Sequence, residues 1–329
     1  MKQLVSILIP AFNSERWVGN AIQSAIAQTW PRKELIVVDD GSTDQTFNIA
    51  LAYSSAKVLV IKQNNRGASA ARNHALSLAQ GDYIQWLDAD DLLAPEKIAR
   101  QMEFAEPGHS TRILLSGSWG RFITRQELTR FQPDLLWGDL KPVEWLFRKI
   151  DGNLWMAIES WLVSRRLTEM AGAWDETLYR DNDGEYFSRV IVNSQQIRFI
   201  PEARCYCRRS NLGISHDLTL TDRKMESVFF SLLSQIQHLI SMENSPRTRK
   251  ACLKLLSRWS IFFYPERTDL LEQLHSIADA LGGQLESPRL RAKYQWLTNI
   301  VSWSTAKKAQ CVIPTLRSLL EQTLERYIR

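Results

Sequence analysis

No apolar run in these 329 residues approaches the roughly 18 that a helix needs to cross a bilayer. The opening stretch, Leu4–Ile9, is too short for a signal-peptide core followed by a cleavage site, and it reads as a buried strand. A cytoplasmic chain is the expectation. Cysteine is scarce: Cys205, Cys207, Cys252 and Cys311, with no C-x-x-C pair and no histidine at zinc-finger spacing. Cys205 and Cys207 alternate along an apparent strand, share one face, and read as reduced structural thiols. The first strand is followed by Pro10-Ala11-Phe12-Asn13 rather than by G-x-G-x-x-G, so the phosphate cradle of a nicotinamide-dependent dehydrogenase is missing. There is no internal repeat and no low-complexity tract. With 44% hydrophobic and 23% charged residues, the composition is that of an ordinary globular protein.

The formal net charge is +5, and its position says more than its size. Residues 1–216 carry 25 Lys+Arg and 25 Asp+Glu, whereas the residues from Asp217 on carry 16 and 11, so the whole excess lies in the tail. Such a tail reads either as a contact for an anionic partner, such as a membrane surface, or as a solvated helix face.

What is present is alternation. Leu4–Ile9, Glu34–Val38, Lys57–Lys62 and Tyr83–Leu87 read as strands, with helical patterns between them. Asn13 and Ser14 can cap the first helix, whose apolar stripe is Trp17, Val18, Ala21, Ile22, Ala25 and Ile26. Gly67 opens an Ala-rich helix running through Ala79. The pattern predicts an α/β chain with a mostly parallel, Rossmann-like sheet and helices on both faces. Polar residues cluster just after each strand: Asn13, Asp39, Asp40, Arg66 and the run Asp88–Asp91. In open α/β sheets that carboxyl edge is where ligands bind. Beyond it, Ile113–Trp119 and Gly120–Thr124 can pair as two strands. Pro142–Ile150 reads as a helix, Trp161–Ser164 as a short strand, Gly184–Asn193 as a helix and Ile197–Arg208 as a strand. From Asp217 the chain turns helical, with Val228, Leu232, Leu233, Ile236, Leu239 and Ile240 at helical spacing.

Chemistry concentrates in Trp86-Leu87-Asp88-Ala89-Asp90-Asp91, where an apolar strand delivers several carboxylates to one edge. Crowded carboxylates repel unless a cation sits among them. Hard ions such as Mg²⁺ or Mn²⁺ take oxygen ligands and keep phosphate oxygens in their shell. The run therefore reads as a diphosphate–metal clamp or as a solvated Asp-rich turn. A phosphatase that uses the first Asp as nucleophile fits poorly, because the run follows the fourth strand and not the first.

Four segments together carry a resemblance: Val5-Ser6-Ile7-Leu8-Ile9-Pro10-Ala11-Phe12-Asn13-Ser14-Glu15; Leu35-Ile36-Val37-Val38-Asp39-Asp40-Gly41-Ser42-Thr43-Asp44; Asn65-Arg66-Gly67 with Ala71-Arg72-Asn73; and Leu87-Asp88-Ala89-Asp90-Asp91. In order and spacing they are similar to family-2 glycosyltransferases over about the first 100 residues. The resemblance implies a GT-A fold in residues 1–216. Residues 1–110 would bind the nucleotide sugar, and residues 111–216 would supply the acceptor side and the catalytic base. Residues 217–329 would form a helical C-terminal region.

The resemblance also implies roles. Pro10, Ala11 and Glu15 would line the base and ribose pocket, and Asp40 or its neighbour Asp39 would accept a hydrogen bond from uracil N3–H. Arg72 would lie near the base or phosphates, Asp88 with Ala89 would approach the ribose, and Asp90 would bind Mn²⁺ or Mg²⁺. Asp39 and Asp44 equally suit turn and cap roles, and Arg72 a surface arginine. Gly41 and Gly67 can serve backbone geometry alone. Further along, Arg180-Asp181-Asn182-Asp183-Gly184-Glu185 resembles the family segment that carries the base, which makes Asp183 the match; Asn182 stands where a Glu is frequent. Asp183 can also cap the helix that follows. Arg209 and His216 fall in a stretch, from Arg208 to Asn211 and beyond, that would close over the diphosphate. Trp155, Glu159 and Trp161 lie where the acceptor would dock, although Trp is also a core residue.

The expected activity is inverting transfer from a nucleotide-diphosphate sugar, UDP by the resemblance, to an acceptor hydroxyl in polysaccharide or glycoconjugate synthesis. A non-catalytic nucleotide-sugar or glycan binding module on a degenerate transferase fold is the alternative. The expected partners are the sugar donor and a saccharide or lipid-linked acceptor. Nucleic acid is not among them. The basic C-terminal helices offer a peripheral contact for the inner face of a membrane or for a protein.

Overall fold

Val5, Ser6, Ile7, Leu8 and Ile9 are all fully buried, so the first strand must be covered on both faces. The computed structural model describes residues 2–105, 112–209, 221–290, 292–310 and 313. In chain order the first part reads β1 (Val5–Ala11), α1 (Val18–Ile26), β2 (Lys33–Asp39), α2 (Thr46–Leu51), β3 (Val58–Lys62), α3 (Ala68–Leu78) and β4 (Tyr83–Trp86). The middle part follows with β5 (Leu92–Leu93), α4 (Lys97–Met102), β6 (Ile113–Phe122), β7 (Arg130–Phe131), α5 (Pro142–Gly152), β8 (Val163–Ser164), α6 (Arg165–Ala171), α7 (Asn182–Asn193) and β9 (Gln196–Arg208).

One sheet has the order β3-β2-β1-β4-β8, parallel except for its antiparallel edge strand β8. Val5, Ile7 and Ile9 face a core shared with α1, α2 and α4. Leu8, with Ile36, Ile84 and Trp86, faces α3, α5, α6 and α7 on the other side. The expected sheet with helices on both faces is therefore present.

A second sheet, β5-β9-β6-β7, stands against the first. Here one expectation fails. Ile113–Trp119 and Gly120–Thr124 do not pair with each other; they run on as the single strand β6, parallel to β9. The interruption is a register shift between Gly117 and Trp119, where a Cβ on Gly117 would lie 2.0 Å from the Ala203 carbonyl oxygen. The glycine thus marks a bulge inside one strand, not a turn between two. A second expectation also fails. Asn13 and Ser14 do not cap α1, which begins at Val18 with no side-chain cap. The Asn13 carboxamide oxygen instead accepts from the Thr43 N–H, in the next loop.

The C-terminal helices α8 (Asp222–Met242), α9 (Pro246–Phe263), α10 (Thr268–Ala280) and α11 (Ala292–Gln295) follow. Met225, Val228, Leu232 and Ile236 of α8 bury against Leu146 and Ile150 of α5, so these helices share a core with the middle of the chain. The expected boundary at 216/217 falls outside the described residues. Among those described, no helix is long and apolar enough to cross a membrane.

Candidate active site

Ala11, Asp39 and Lys62 sit side by side across β1, β2 and β3, which aligns the loops that follow at one sheet edge. The first two loops are laced together. The Asn13 N–H donates to Ser42 Oγ (2.9 Å), the Ser14 N–H to Thr46 Oγ1 (2.7 Å), and the Gln45 N–H to Glu15 Oε2 (3.0 Å). Asp44 accepts from the Thr46 N–H and the Glu15 N–H, which is the turn role open to it. Pro10 is half-buried and Ala11 buried at the end of β1. Gly41 has φ of 74°, and a Cβ there would lie 2.7 Å from the Asn65 nitrogen, so this position serves backbone geometry.

Asp39 and Asp40 differ sharply. Asp40 Oδ1 accepts from Gln63 Nε2 (2.7 Å) and the Arg66 N–H (2.9 Å), and its Oδ2 accepts from the Gly67 N–H (2.8 Å). Its carboxylate folds the 63–67 loop onto the start of α3. Asp39 is fully buried; its Oδ2 accepts from the Ser42 N–H (3.1 Å), while its Oδ1 has no partner. A buried carboxylate oxygen without a donor is costly, and it is where a ligand N–H would fit.

Arg72 is a buried junction, not a surface arginine. Its Nη2 donates to Asp88 Oδ1 (2.8 Å) and its Nη1 reaches Asn182 Oδ1 (3.4 Å). Its guanidinium lies 4.4 Å from the ring centre of Trp174, which stacks on Tyr186 at 3.9 Å. An aromatic stack in the core thus carries the arginine that joins α3, the D-x-D turn and the start of α7. Asn182 also donates to Ser69 Oγ (3.2 Å), so the amide found in place of a Glu bridges two of these elements.

Asp183 lies in the first turn of α7, and Asp181, in a left-handed conformation, occupies the cap position. The capping role considered for Asp183 is therefore not its role here. Asp183 is half-buried, and its Oδ2 accepts from Trp155 Nε1 (3.2 Å). Asp181 is held by α8: its Oδ2 accepts from Ser231 Oγ (2.6 Å) and Gln235 Nε2 (2.9 Å). Ser227 Oγ bonds both the N–H and the carbonyl of Arg180. Ser227, Ser231 and Gln235 are buried on one face of α8. Sequence reasoning missed this stripe, although its spacing of four was readable. Burial raises the pKa of the Asp181 carboxyl.

Behind the D-x-D turn sits a second carboxyl group. Asp91, Glu159 and Cys207 bring their polar atoms within 4.8 Å of one another, all buried. Burial, then Glu159, pushes the Asp91 carboxyl well up, and burial with Asp88 nearby lifts that of Glu159 to about 7. Burial also pushes the Cys207 thiol far up, so it stays protonated. A protonated sulfur suits neither Mg²⁺ nor Mn²⁺. The oxygen-only pair Asp88 and Asp90 fits such an ion better, since Asp88 keeps 36% of its side chain exposed and Asp90 is only half-buried. Ala89 is buried and turns its methyl into the core.

Arg208 is not a loop residue. It ends β9, donates from Nε to the Asp90 carbonyl (2.9 Å) and from its N–H to Asp91 Oδ1 (2.5 Å), and so braces the D-x-D turn. Arg209 is exposed and its N–H donates to the Phe122 carbonyl (2.7 Å). Ser210, Asn211 and His216 lie outside the described residues. Of the three expected acceptor residues, Trp155 is 39% exposed beside Asp183, but Glu159 and Trp161 are buried in the interior, away from any surface an acceptor could reach. Next to Trp155 a cleft of about 740 Å³ opens along β6 and β7, with Trp119, Arg121, Phe122, Leu128, Arg130 and Arg209 in its lining.

Comparison with known proteins fits this geometry. The sequence model of "Glycosyl transferase family 2" matches residues 6–133. The chain is 41% identical over 105 residues to the Escherichia coli UDP-Glc:alpha-D-GlcNAc-diphosphoundecaprenol beta-1,3-glucosyltransferase WfaP, covering 32% of this chain and 42% of that protein. It is 39% identical over 106 residues to the putative teichuronic acid biosynthesis glycosyltransferase TuaG of Bacillus subtilis, covering 31% and 42%. In both cases the chain matches less than half of the relative's own length. In structure it is similar to S. aureus TarS 1-349 in complex with UDP, with a TM-score of 0.61 at 18% identity over 97% of this chain and 91% of that one. It is also similar to the mannosyltransferase PcManGT from Pyrobaculum calidifontis in complex with GDP-Man and Mn²⁺, with a TM-score of 0.52 at 16% identity over 96% and 88%. The expected GT-A fold is the fold of this chain.

Proposed function

We propose that this chain, whose N-terminal domain belongs to glycosyl transferase family 2, moves a sugar from a UDP-sugar to an acceptor hydroxyl in cell-envelope polysaccharide or glycoconjugate synthesis. The observation that carries this reading is the convergence on Arg72, which ties Asp88 of the donor side to the Asn182-Asp183 turn. UDP as the nucleotide draws support from the partnerless Asp39 Oδ1, an acceptor suited to the uracil N3–H. It also draws on the UDP complex of TarS and the UDP-Glc named for WfaP. In this reading Asp39, not Asp40, reads the base, and Pro10, Ala11 and Glu15 frame it. Residues 1–110 serve the donor and 111–216 the acceptor, and α8 of the helical region 217–329 braces the turn that carries the base.

Asp183, oriented by Trp155, takes the proton from the acceptor hydroxyl as the new bond forms at the anomeric carbon. Attack comes from the face opposite the nucleotide, so the configuration inverts in one displacement. Arg72 fixes Asp88 and the start of α7 relative to each other, which keeps donor and base in line. Arg209 and His216 would meet the departing diphosphate. A divalent cation at Asp90 and Asp88, when bound, would draw negative charge from that leaving group.

Calorimetry tests the donor site: UDP should bind with Mn²⁺ present, lose affinity with excess chelator, and outcompete GDP and dTDP. Asp183→Asn should lower the transfer rate roughly 10²- to 10⁴-fold while UDP affinity holds within about twofold. Undiminished transfer by that variant would remove Asp183 from the role. A wild-type chain that binds UDP but neither hydrolyses nor transfers any UDP-sugar would be a binding module instead.

A further inference from the structure

Arg121 and Arg130 are direct partners across the antiparallel pair β6–β7. Residues so placed point to the same face, and like charges directly opposite repel each other. Neither forms an ion pair among the described residues. Both line the cleft beside the base, and Arg209 lines it too. The one carboxylate in its lining, Asp134, accepts the Leu136 N–H on its Oδ1 (2.8 Å). Arg121 is held in place: its guanidinium lies 5.2 Å from the ring centre of Trp119 and 5.5 Å from that of Trp155. Trp155 in turn donates to Asp183. The rest of the lining is largely apolar, with Phe122, Ile123, Leu128 and Pro133.

We infer that this cleft binds a phosphate carried by the acceptor, seated between Arg121 and Arg130, one aromatic pair away from the base. A phosphate oxygen pair matches two guanidinium forks and removes the repulsion between them. The volume, about 740 Å³, suits a ligand larger than a lone ion. The acceptor of the transferred sugar therefore carries a phosphate, on the side of the reacting hydroxyl that faces β6 and β7. The phosphate can belong to a polyprenyl diphosphate or to a polyol-phosphate chain. This inference rests on the transferase reading and names the substrate class of its acceptor side.

The test uses the full chain with UDP and Mn²⁺, and it reads the fluorescence of the tryptophans that flank Arg121. The probes are farnesyl diphosphate, a short poly(glycerol phosphate) oligomer, and farnesol as the phosphate-free control. At least one phosphate probe should bind and farnesol should not. The double variant Arg121→Ala/Arg130→Ala should lose about 100-fold in probe affinity, about tenfold for each guanidinium, with UDP affinity within about twofold. Arg121→Lys/Arg130→Lys should fall between the two, since charge survives and the fork does not. Farnesyl diphosphate alone binding assigns a lipid-linked acceptor, the oligomer alone assigns a polymer, and both binding assigns recognition of the phosphate itself. Equal probe affinity in the Ala double variant and the wild type overturns the inference, as does a wild-type chain that binds UDP but neither probe. A chain that binds the probes but no UDP would overturn the donor reading and leave the anion cleft standing.

Discussion

Asp39 and Asp40 are adjacent, yet only one of them has an oxygen to spare. Asp40 spends three hydrogen bonds on the 63–67 loop, whereas Asp39 buries Oδ1 with no donor. Asp39→Asn should keep the bond from the Ser42 N–H through its carbonyl oxygen and present an amide N–H where the carboxylate oxygen was. UDP affinity should drop by about 10- to 100-fold, and CDP, whose ring N3 accepts a hydrogen bond, should gain on UDP. Titration of both nucleotides against the variant checks this; an unchanged UDP-to-CDP ratio would return the role to Asp40. Lys97 allows a second forecast at this scale. It is fully buried, donates to Gln85 Oε1 and the Trp161 carbonyl, and burial lowers its pKa to about 7. An unfolded lysine titrates near ~10.4. Between these values the unfolded chain holds the extra proton, so this group adds stability as pH rises from about 7. Denaturant unfolding of the wild type and Lys97→Met at pH 7 and pH 8.5 should show the gap moving in favour of the wild type, by at most about 1.4 kcal/mol per pH unit. A constant gap would mean that Lys97 stays charged in the fold.

At the scale of elements, α8 matters because it reaches across to α7. Its buried Ser227, Ser231 and Gln235 hold Arg180 and Asp181, and Asp181 in turn leaves no room at residue 184: a Cβ there would lie 2.5 Å from Asp181 Oδ1. The turn that delivers Asp183 is therefore shaped from the C-terminal side. Ser231→Ala with Gln235→Leu would strip the Asp181 carboxylate of both side-chain donors. The expected loss is about 1–3 kcal/mol of stability, with the melting temperature down by several degrees. Turnover should fall while UDP affinity stays within about twofold. Parallel loss of UDP binding would mean that the clamp serves the whole fold and not the base.

Across the whole molecule, the donor half was readable because its residues repeat a local rule. Strand, polar turn and helix recur with short loops, so Asp39, Asp40 and the D-x-D run stood out where the strands end, whereas Arg72, inside α3, was singled out only by the family resemblance. The middle was harder to read because its signals are not local. Ile113–Trp119 and Gly120–Thr124 read as two strands, and only the partner strand, with Ala203 pressed against Gly117, shows a single strand with a shifted register. Glu159 and Trp161 sit beside the right segment but face inward: Glu159 lies in a single 3-10 turn, Ile158–Ser160, and Trp161 ends it, and so short a turn has no periodicity to read. The arginine pair across β6 and β7 depends on register, which spacing within a single strand does not reveal.

The family match stops at residue 133, short of Asp183 and of the helix that clamps its turn. On the proposed reading, a donor half spliced onto the tail of another such protein should carry its base preference with it, because Pro10, Ala11, Glu15 and Asp39, the residues proposed to frame the base, all lie within residues 6–133. Its turnover would depend on how well the recipient's helix seats one aspartate. On that reading, donor choice would move between such proteins as a cassette, while catalytic speed would have to be refitted after each exchange.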